Sequence, residues 1–166
     1  MNKEPLIGDF GVSKSNSLLS WVIRIGTWSS ASHAFVYVGD GLVLEAMPTG
    51  ARLSPVENCS NPVWAEGRYI PDIDTGEEIA HQARKLVGTP YGWTDILAIL
   101  LAQLHLFDRT KPESAQPWYI RRTMSTNALI CSELVDYAYY LAGVHLFDDG
   151  RCPGLVTPGD LARLIR

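Results

Sequence analysis

Three cysteines and four histidines hold most of the nucleophilic and acid–base chemistry open to this 166-residue chain. Cys131 has the most informative setting, in Asn127-Ala128-Leu129-Ile130-Cys131-Ser132-Glu133-Leu134-Val135-Asp136-Tyr137-Ala138, which reads as a short apolar approach running into a helix. A thiol in the first turn of a helix lies near the positive end of the helix dipole and beside backbone N–H groups with no intrahelical acceptor. Both favour the thiolate, which is the nucleophilic form. The same N–H groups can hold the oxyanion that forms when a thiolate attacks a carbonyl. The segment also reads as a plain core helix, because Cys131, Leu134, Val135, Ala138, Leu141 and Ala142 fall on one stripe, and free cysteine is commonly buried.

A nucleophilic Cys131 needs a base. His81 lies in a polar helix and His105 in an apolar one, while His145 follows the Cys131 helix in a short apolar run. His33 differs: it begins a β-rich run, His33-Ala34-Phe35-Val36-Tyr37-Val38, directly after a loop of small residues. The next β-rich run, Leu42 to Met47, contains Glu45, and Gly39-Asp40-Gly41 lies between the two. A two-residue turn at Asp40-Gly41 puts His33 and Glu45 on opposite faces of the hairpin. A three-residue loop pairs Val38 with Leu42 and makes Glu45 the diagonal same-face neighbour of His33, roughly 5 to 8 Å away. Gly41 suits the left-handed position that closes such a loop, so this register is expected. Cysteine, imidazole and carboxylate then follow triad logic: His33 moves the thiol proton, and Glu45 fixes the tautomer and supports the imidazolium.

The elements that must position these groups follow from local signals. Ile7 to Val12 reads as a turn into a short strand, with Gly8-Asp9 as a turn plus a cap. Ser15 or Asn16 caps a helix bearing Leu18, Leu19, Val22 and Ile23. Ala51 to Val56 adds a third run, giving an antiparallel meander, and Val63 to Ile70 a further strand stopped by Pro71. Thr75-Gly76-Glu77-Glu78 opens a helix that Gly88-Thr89-Pro90 terminates. An apolar helix spans about Thr94 to Phe107, and Asp108 to Pro117 is polar with two prolines. Gly143 ends the Cys131 helix, and Thr157-Pro158 starts a closing one.

Composition bounds the remaining classes. The chain is 46% hydrophobic with a net charge of −4, and its densest basic spot is the Arg121-Arg122 pair, so no nucleic acid is expected as a partner. No apolar segment follows the N-terminus as in a signal peptide, and the longest apolar run, Ile96 to Ala102, is too short to span a bilayer. The expected location is cytoplasmic, or phage- or virion-associated. The odd cysteine count without a C-x-x-C pair points away from a disulfide framework. Cys59, Cys131, Cys152 and His33 lack the paired spacing of a zinc site, so neither metal nor cofactor is expected. No Walker loop, G-x-S-x-G or G-x-G-x-x-G occurs. The length suits a single domain over residues 1–166.

The order of features resembles the circularly permuted branch of the NlpC-like papain-fold cysteine hydrolases, the YiiX-like and lecithin:retinol acyltransferase-like group. The matching pieces are Gly8-Asp9, the Leu18 to Thr27 segment, Ser32-His33-Ala34, Leu44-Glu45-Ala46 with Gly50 and Pro55, Gly88-Thr89-Pro90-Tyr91, Ile130-Cys131-Ser132-Glu133-Leu134 and Thr157-Pro158-Gly159-Asp160-Leu161. The resemblance implies an α+β, circularly permuted papain-like fold, with a small antiparallel sheet packed against helices and the nucleophile at a helix N-terminus. It implies Cys131 as nucleophile, His33 as base, Glu45 as third member and Tyr91 as an oxyanion or positioning residue. The reaction it implies is cleavage of an amide or ester through a thioester, on a peptide, on cell-wall peptide or on lipid-linked acyl groups. An acyltransferase would use the same residues, and a non-catalytic peptide- or lipid-binding protein would keep only the cleft. Oligomeric state has no signature in the sequence.

Overall fold

The computed structural model describes residues 4–14, 31–93, 113–115, 128–149, 151 and 155–165. The helices expected from Leu18 to Thr27 and from Thr94 to Phe107 lie outside the described residues, as do His105 and Cys152 and most of the segment from Asp108 to Pro117.

Five antiparallel strands form one sheet in the order β4-β3-β2-β1-β5: β1 Phe10–Ser13, β2 His33–Gly39, β3 Leu42–Met47, β4 Gly50–Pro55 and β5 Val63–Trp64. Three helices are described, α1 Ile73–Lys85, α2 Cys131–Leu141 and α3 Pro158–Ile165. The protein is therefore α+β. The expected meander is the β2-β3-β4 half of a larger sheet, because β1 pairs back onto β2. The strand expected from Val63 to Ile70 stops at Trp64, where positive φ at Glu66 and Gly67 turns the chain away from the sheet.

Strand alternation sorts side chains into two layers. Phe10, Val12, Ala34, Val36, Val38, Leu44 and Ala46 face a core shared with Ile79 and Ala83 of α1 and Leu134, Val135, Ala138 and Tyr139 of α2. His33, Phe35, Glu45, Arg52 and Ser54 have the opposite parity. Phe35 packs edge-on against Trp64 on that far side, at 5.3 Å between ring centroids.

The first hairpin reaches its register by an unexpected route. The turn is the two-residue Asp40-Gly41 type, with φ of 54° and 70° and Gly39 paired to Leu42. A bulge between Tyr37 and Gly39 then absorbs one residue, so Phe35 faces Glu45, Val36 faces Leu44 and Tyr37 faces Val43. The expected loop of three residues is thus corrected, yet the expected pairing upstream holds. The bulge moves the strand by the same one residue that the longer loop would have.

The helix ends follow their caps. Asp72, not Thr75, caps α1: its carboxylate accepts from the Thr75 N–H at 2.7 Å, which starts the helix at Ile73. Gly143, at φ 79°, ends α2, with its N–H on the Tyr140 carbonyl and the Val144 N–H on that of Tyr139. Thr157 and Asp160 exchange hydrogen bonds across the first turn of α3. Gly8 and Gly76 let the chain before β1 lie directly on α1: a Cβ on Gly76 would stand 2.5 Å from the Ile7 carbonyl oxygen. Asp9, expected as part of a structural turn and cap, accepts from the Gly67 N–H at 2.9 Å and pins the β5 turn to β1.

Candidate active site

Cys131 is the first residue of α2 and is buried. Its backbone is set by Ile130, extended at φ −86° and ψ 171°, and by Glu133, whose carboxylate accepts from the Ile130 N–H at 3.0 Å. That reach from the third helical position back to the cap fixes the helix start and places an acidic group at its positive end. Ser132 anchors the same turn from the other side, donating to the Val156 carbonyl at 2.6 Å.

His33 is the first residue of β2, locked by its pairing with Ser13 of β1. Its Nε2 lies 2.7 Å from Oε2 of Glu45, and the side chain of Cys131 lies close enough to the ring to raise its pKa. With Nε2 committed to Glu45, Nδ1 is the nitrogen left for the sulfur. The helix that bears Cys131 packs on the core face of the sheet, and His33 has the other parity. The two meet only because His33 stands at the end of its strand and Cys131 at the end of its helix.

Glu45 is buried and held from both sides. Oε1 accepts from the Ser54 hydroxyl at 2.6 Å and from Arg52 Nη2 at 3.2 Å. Arg52 faces Glu45 directly across the β3-β4 ladder, and Ser54 is its same-face neighbour two residues on. Neither residue was singled out from sequence. The signal was present in principle, since an Arg and a Ser at alternate positions of the next strand can meet a carboxylate, but it depends on the β3-β4 register.

The electrostatics follow from this packing. Burial alone would lower the pKa of His33. Its hydrogen bonds to Cys131 and Glu45, with the charges on both, outweigh burial and raise it to about 9. Burial raises Glu45, but hydrogen bonds from His33 and Ser54, with the His33 charge, bring it down to about 2. The arrangement therefore holds a charged imidazolium–carboxylate pair against the cysteine through neutral pH.

Tyr91 is buried beside the same helix start. A bridge to Leu129 and the Gly92 N–H to the Leu129 carbonyl bind its backbone to the approach into α2. Its hydroxyl is pushed well above the ordinary range, first by burial and then by the negative charges at Cys131 and Glu133. It also packs edge-on against Trp93, with ring centroids 5.0 Å apart. The four residues singled out as a site thus lie together. His81 is exposed and His145 lies towards the other end of α2, both away from this cluster. Cys59 is half-buried near Glu45, and burial together with that negative charge pushes its thiol up to about 11.

No family model matches the chain, and no curated protein matches it. Among solved structures the chain is similar to one described as the crystal structure of metalloprotein yiiX from Escherichia coli O157:H7. The two are 21% identical with a TM-score of 0.56, over 84% of this chain and 67% of that one. What the likeness shows is a shared fold, since function resides in sites and not in folds.

Proposed function

We propose that this protein is a cysteine hydrolase of the permuted papain-like kind, cutting an amide or ester bond through a thioester. The observation that carries the reading is the chain of contacts from Cys131 to His33 to Glu45, with the cysteine at a helix start. His33 already holds the proton that leaves Cys131, and the thiolate beside this imidazolium attacks the carbonyl carbon. The oxyanion is held by first-turn N–H groups of α2 and by the Tyr91 hydroxyl, which burial keeps protonated and able to donate. The tetrahedral species collapses, and the leaving amine or alcohol takes the proton from His33. Water, deprotonated by His33, then attacks the thioester; collapse releases the acid and returns the thiolate beside the imidazolium. Glu45 stays ionised throughout and holds the ring.

The similar structure is described as a metalloprotein, and the donor set among the residues described here does not fit that role. Among the described residues no three His, Cys, Asp or Glu side chains converge on a point suited to a metal ion. His33 Nε2 faces Glu45, and both Glu45 oxygens accept from protein donors.

The test is acylation by an activated ester such as p-nitrophenyl acetate, read by intact mass and peptide mapping. The reading expects a burst of p-nitrophenol matching one acyl group on Cys131, absent in Cys131→Ala. Acylation spread over surface groups, with no adduct on Cys131, overturns it. Faster turnover with a primary amine or alcohol in the buffer, forming the transferred product, assigns acyl transfer in place of hydrolysis.

A further inference from the structure

A second pocket lies towards the C-terminal end of α2. The chain after Gly143 folds back over the helix and leaves an open pocket of about 130 Å³ between Asp136 and Tyr140 on one side and Val144 to Phe147 with Arg151 on the other. Asp136 is five residues past Cys131, about 7.5 Å along the helix axis and about 140° around it, so it points away from the catalytic cluster.

Asp136 is the unusual group in this pocket. It is 6% exposed and lines the cavity, yet no hydrogen bond or ion pair reaches it among the described residues. Its carboxylate therefore opens on the pocket and not on a protein donor, and a desolvated carboxylate favours a cationic partner there. Arg151, which also lines the pocket, directs its hydrogen bonds elsewhere. Its Nε donates to Asp149 at 2.8 and 2.9 Å, its Nη2 also binds Asp149, and its Nη1 lies 3.6 Å from Asp160. Its guanidinium carbon sits 4.5 Å over the Phe147 ring. Arg163 is likewise spent on Asp160, at 2.7 Å. Among the described residues, both guanidinium groups are thus engaged by Asp149 and Asp160, and neither donates to Asp136.

The rim supplies what a cation with an apolar stem would need. Tyr140 is half-exposed and packs edge-on against His145, with centroids 5.5 Å apart, and Val144 and Leu146 complete an apolar wall. Aromatic faces attract ammonium groups, and the carboxylate at the base accepts their hydrogen bonds. At roughly 30 Å³ per water-sized group, the cavity takes about four heavy atoms, the size of a short aminoalkyl arm.

We propose that this cavity binds a primary ammonium on a short aliphatic stem, which donates to Asp136 and packs its stem against Tyr140 and Phe147. The inference is independent of the hydrolase reading, because it uses none of Cys131, His33 or Glu45. The ammonium belongs either to a small free amine or to a lysine side chain of a polypeptide, and the chemistry at Asp136 is the same.

The experiment is a titration of the full chain with n-butylammonium chloride at constant ionic strength and pH 7.5, followed by calorimetry and amide chemical shifts. Saturable binding that shifts Asp136, Tyr140 and His145 is expected. It should weaken at least about tenfold for Asp136→Asn and for the neutral isostere 1-butanol on wild type. Absence of saturation, or equal binding of butanol, overturns the proposal, as does unchanged binding in a folded Asp136→Asn. The butanol comparison decides the matter if that variant does not fold. Tighter binding of Nα-acetyl-lysine amide than of n-butylammonium assigns the site to a peptide lysine; the reverse order assigns it to a free amine.

Discussion

Nε2 of His33 and Oε2 of Glu45 stand 2.7 Å apart across the β2-β3 hairpin, twelve residues from each other in the chain. They meet because a two-residue turn and a one-residue bulge together leave both side chains on one face. Removing either irregularity alone would send Glu45 to the opposite face from His33. The hairpin is thereby part of the catalytic proposal as well as of the fold.

The pair should be visible in cysteine reactivity. Iodoacetamide at pH 7, read by peptide mass spectrometry, should modify Cys131 faster than Cys59, whose thiol is pushed up to about 11. His33→Ala should slow Cys131 by about 10²-fold, within the range general-base help supplies, while leaving Cys59 unchanged. Equal rates at Cys131 in both proteins would remove the base from the mechanism.

Stability should carry the same signature against pH. The folded pKa of His33, about 9, lies above its ordinary 6.5, so its contribution is full below 6.5 and disappears as pH rises through 9. Glu45, lowered from 4.5 to about 2, contributes fully above 4.5 and loses that contribution as pH falls through 2. The gap in melting temperature between wild type and His33→Gln should therefore be widest from pH 4.5 to 6.5 and close by about pH 9. A gap that stays constant to pH 10 contradicts the shift.

Ser54 and Arg52 should differ in their effects. The Ser54 hydroxyl is buried and donates to a charged acceptor, so Ser54→Ala is expected to cost about 1.5–3 kcal/mol. The Arg52 side chain is 53% exposed, and Arg52→Ala should cost at most about 1 kcal/mol. Because the Ser54 hydroxyl draws charge from Glu45, Ser54→Ala should also shift the His33 titration, read by NMR. An unmoved His33 titration would confine Ser54 to a structural role.

Gly76→Ala sets two effects against each other. Alanine in a helix interior gains roughly 0.8–1.0 kcal/mol over glycine. The new Cβ, however, would stand 2.5 Å from the Ile7 carbonyl oxygen, a backbone atom that cannot swing aside. Overpacking of this kind costs about 1–3 kcal/mol. A lower denaturation midpoint than wild type is expected, and a rise would show that the Gly8 loop can retreat from α1.

Asp136→Asn should stabilise the free protein at neutral pH. Burial first, and then Asp149, push the Asp136 carboxyl up to about 6, with Arg151 opposing. The folded state thus holds the proton more tightly, and stability falls as pH rises from 3.8 through 6. The variant should gain on the order of 2 kcal/mol at pH 8 and much less at pH 4. Equal gains at both values would mean that the charge of Asp136 is not what strains this pocket.

The sequence by itself determined the parts that depend on a few neighbouring residues. These are Cys131 at a helix start, Gly143 at its end, Thr157-Pro158 opening α3, and His33 and Glu45 on one face of a hairpin. Each rests on backbone conformations or periodicities set within a turn or a strand. The details that failed at this level were also local. Asp72 outcompeted Thr75 as the cap of α1, and a bulge did the work assigned to a longer loop.

Only the tertiary structure decided the rest. The meeting of Cys131 with His33 requires α2 to pack on the core face with its N-terminus at the start of β2. The grip of Ser54 and Arg52 on Glu45 requires the β3-β4 register. The seat of Gly8 on Gly76 and the isolation of Asp136 both depend on segments distant in sequence being pressed together. Such contacts are selected by the burial of a shared core, which sums small energies over many side chains and leaves no local pattern to read.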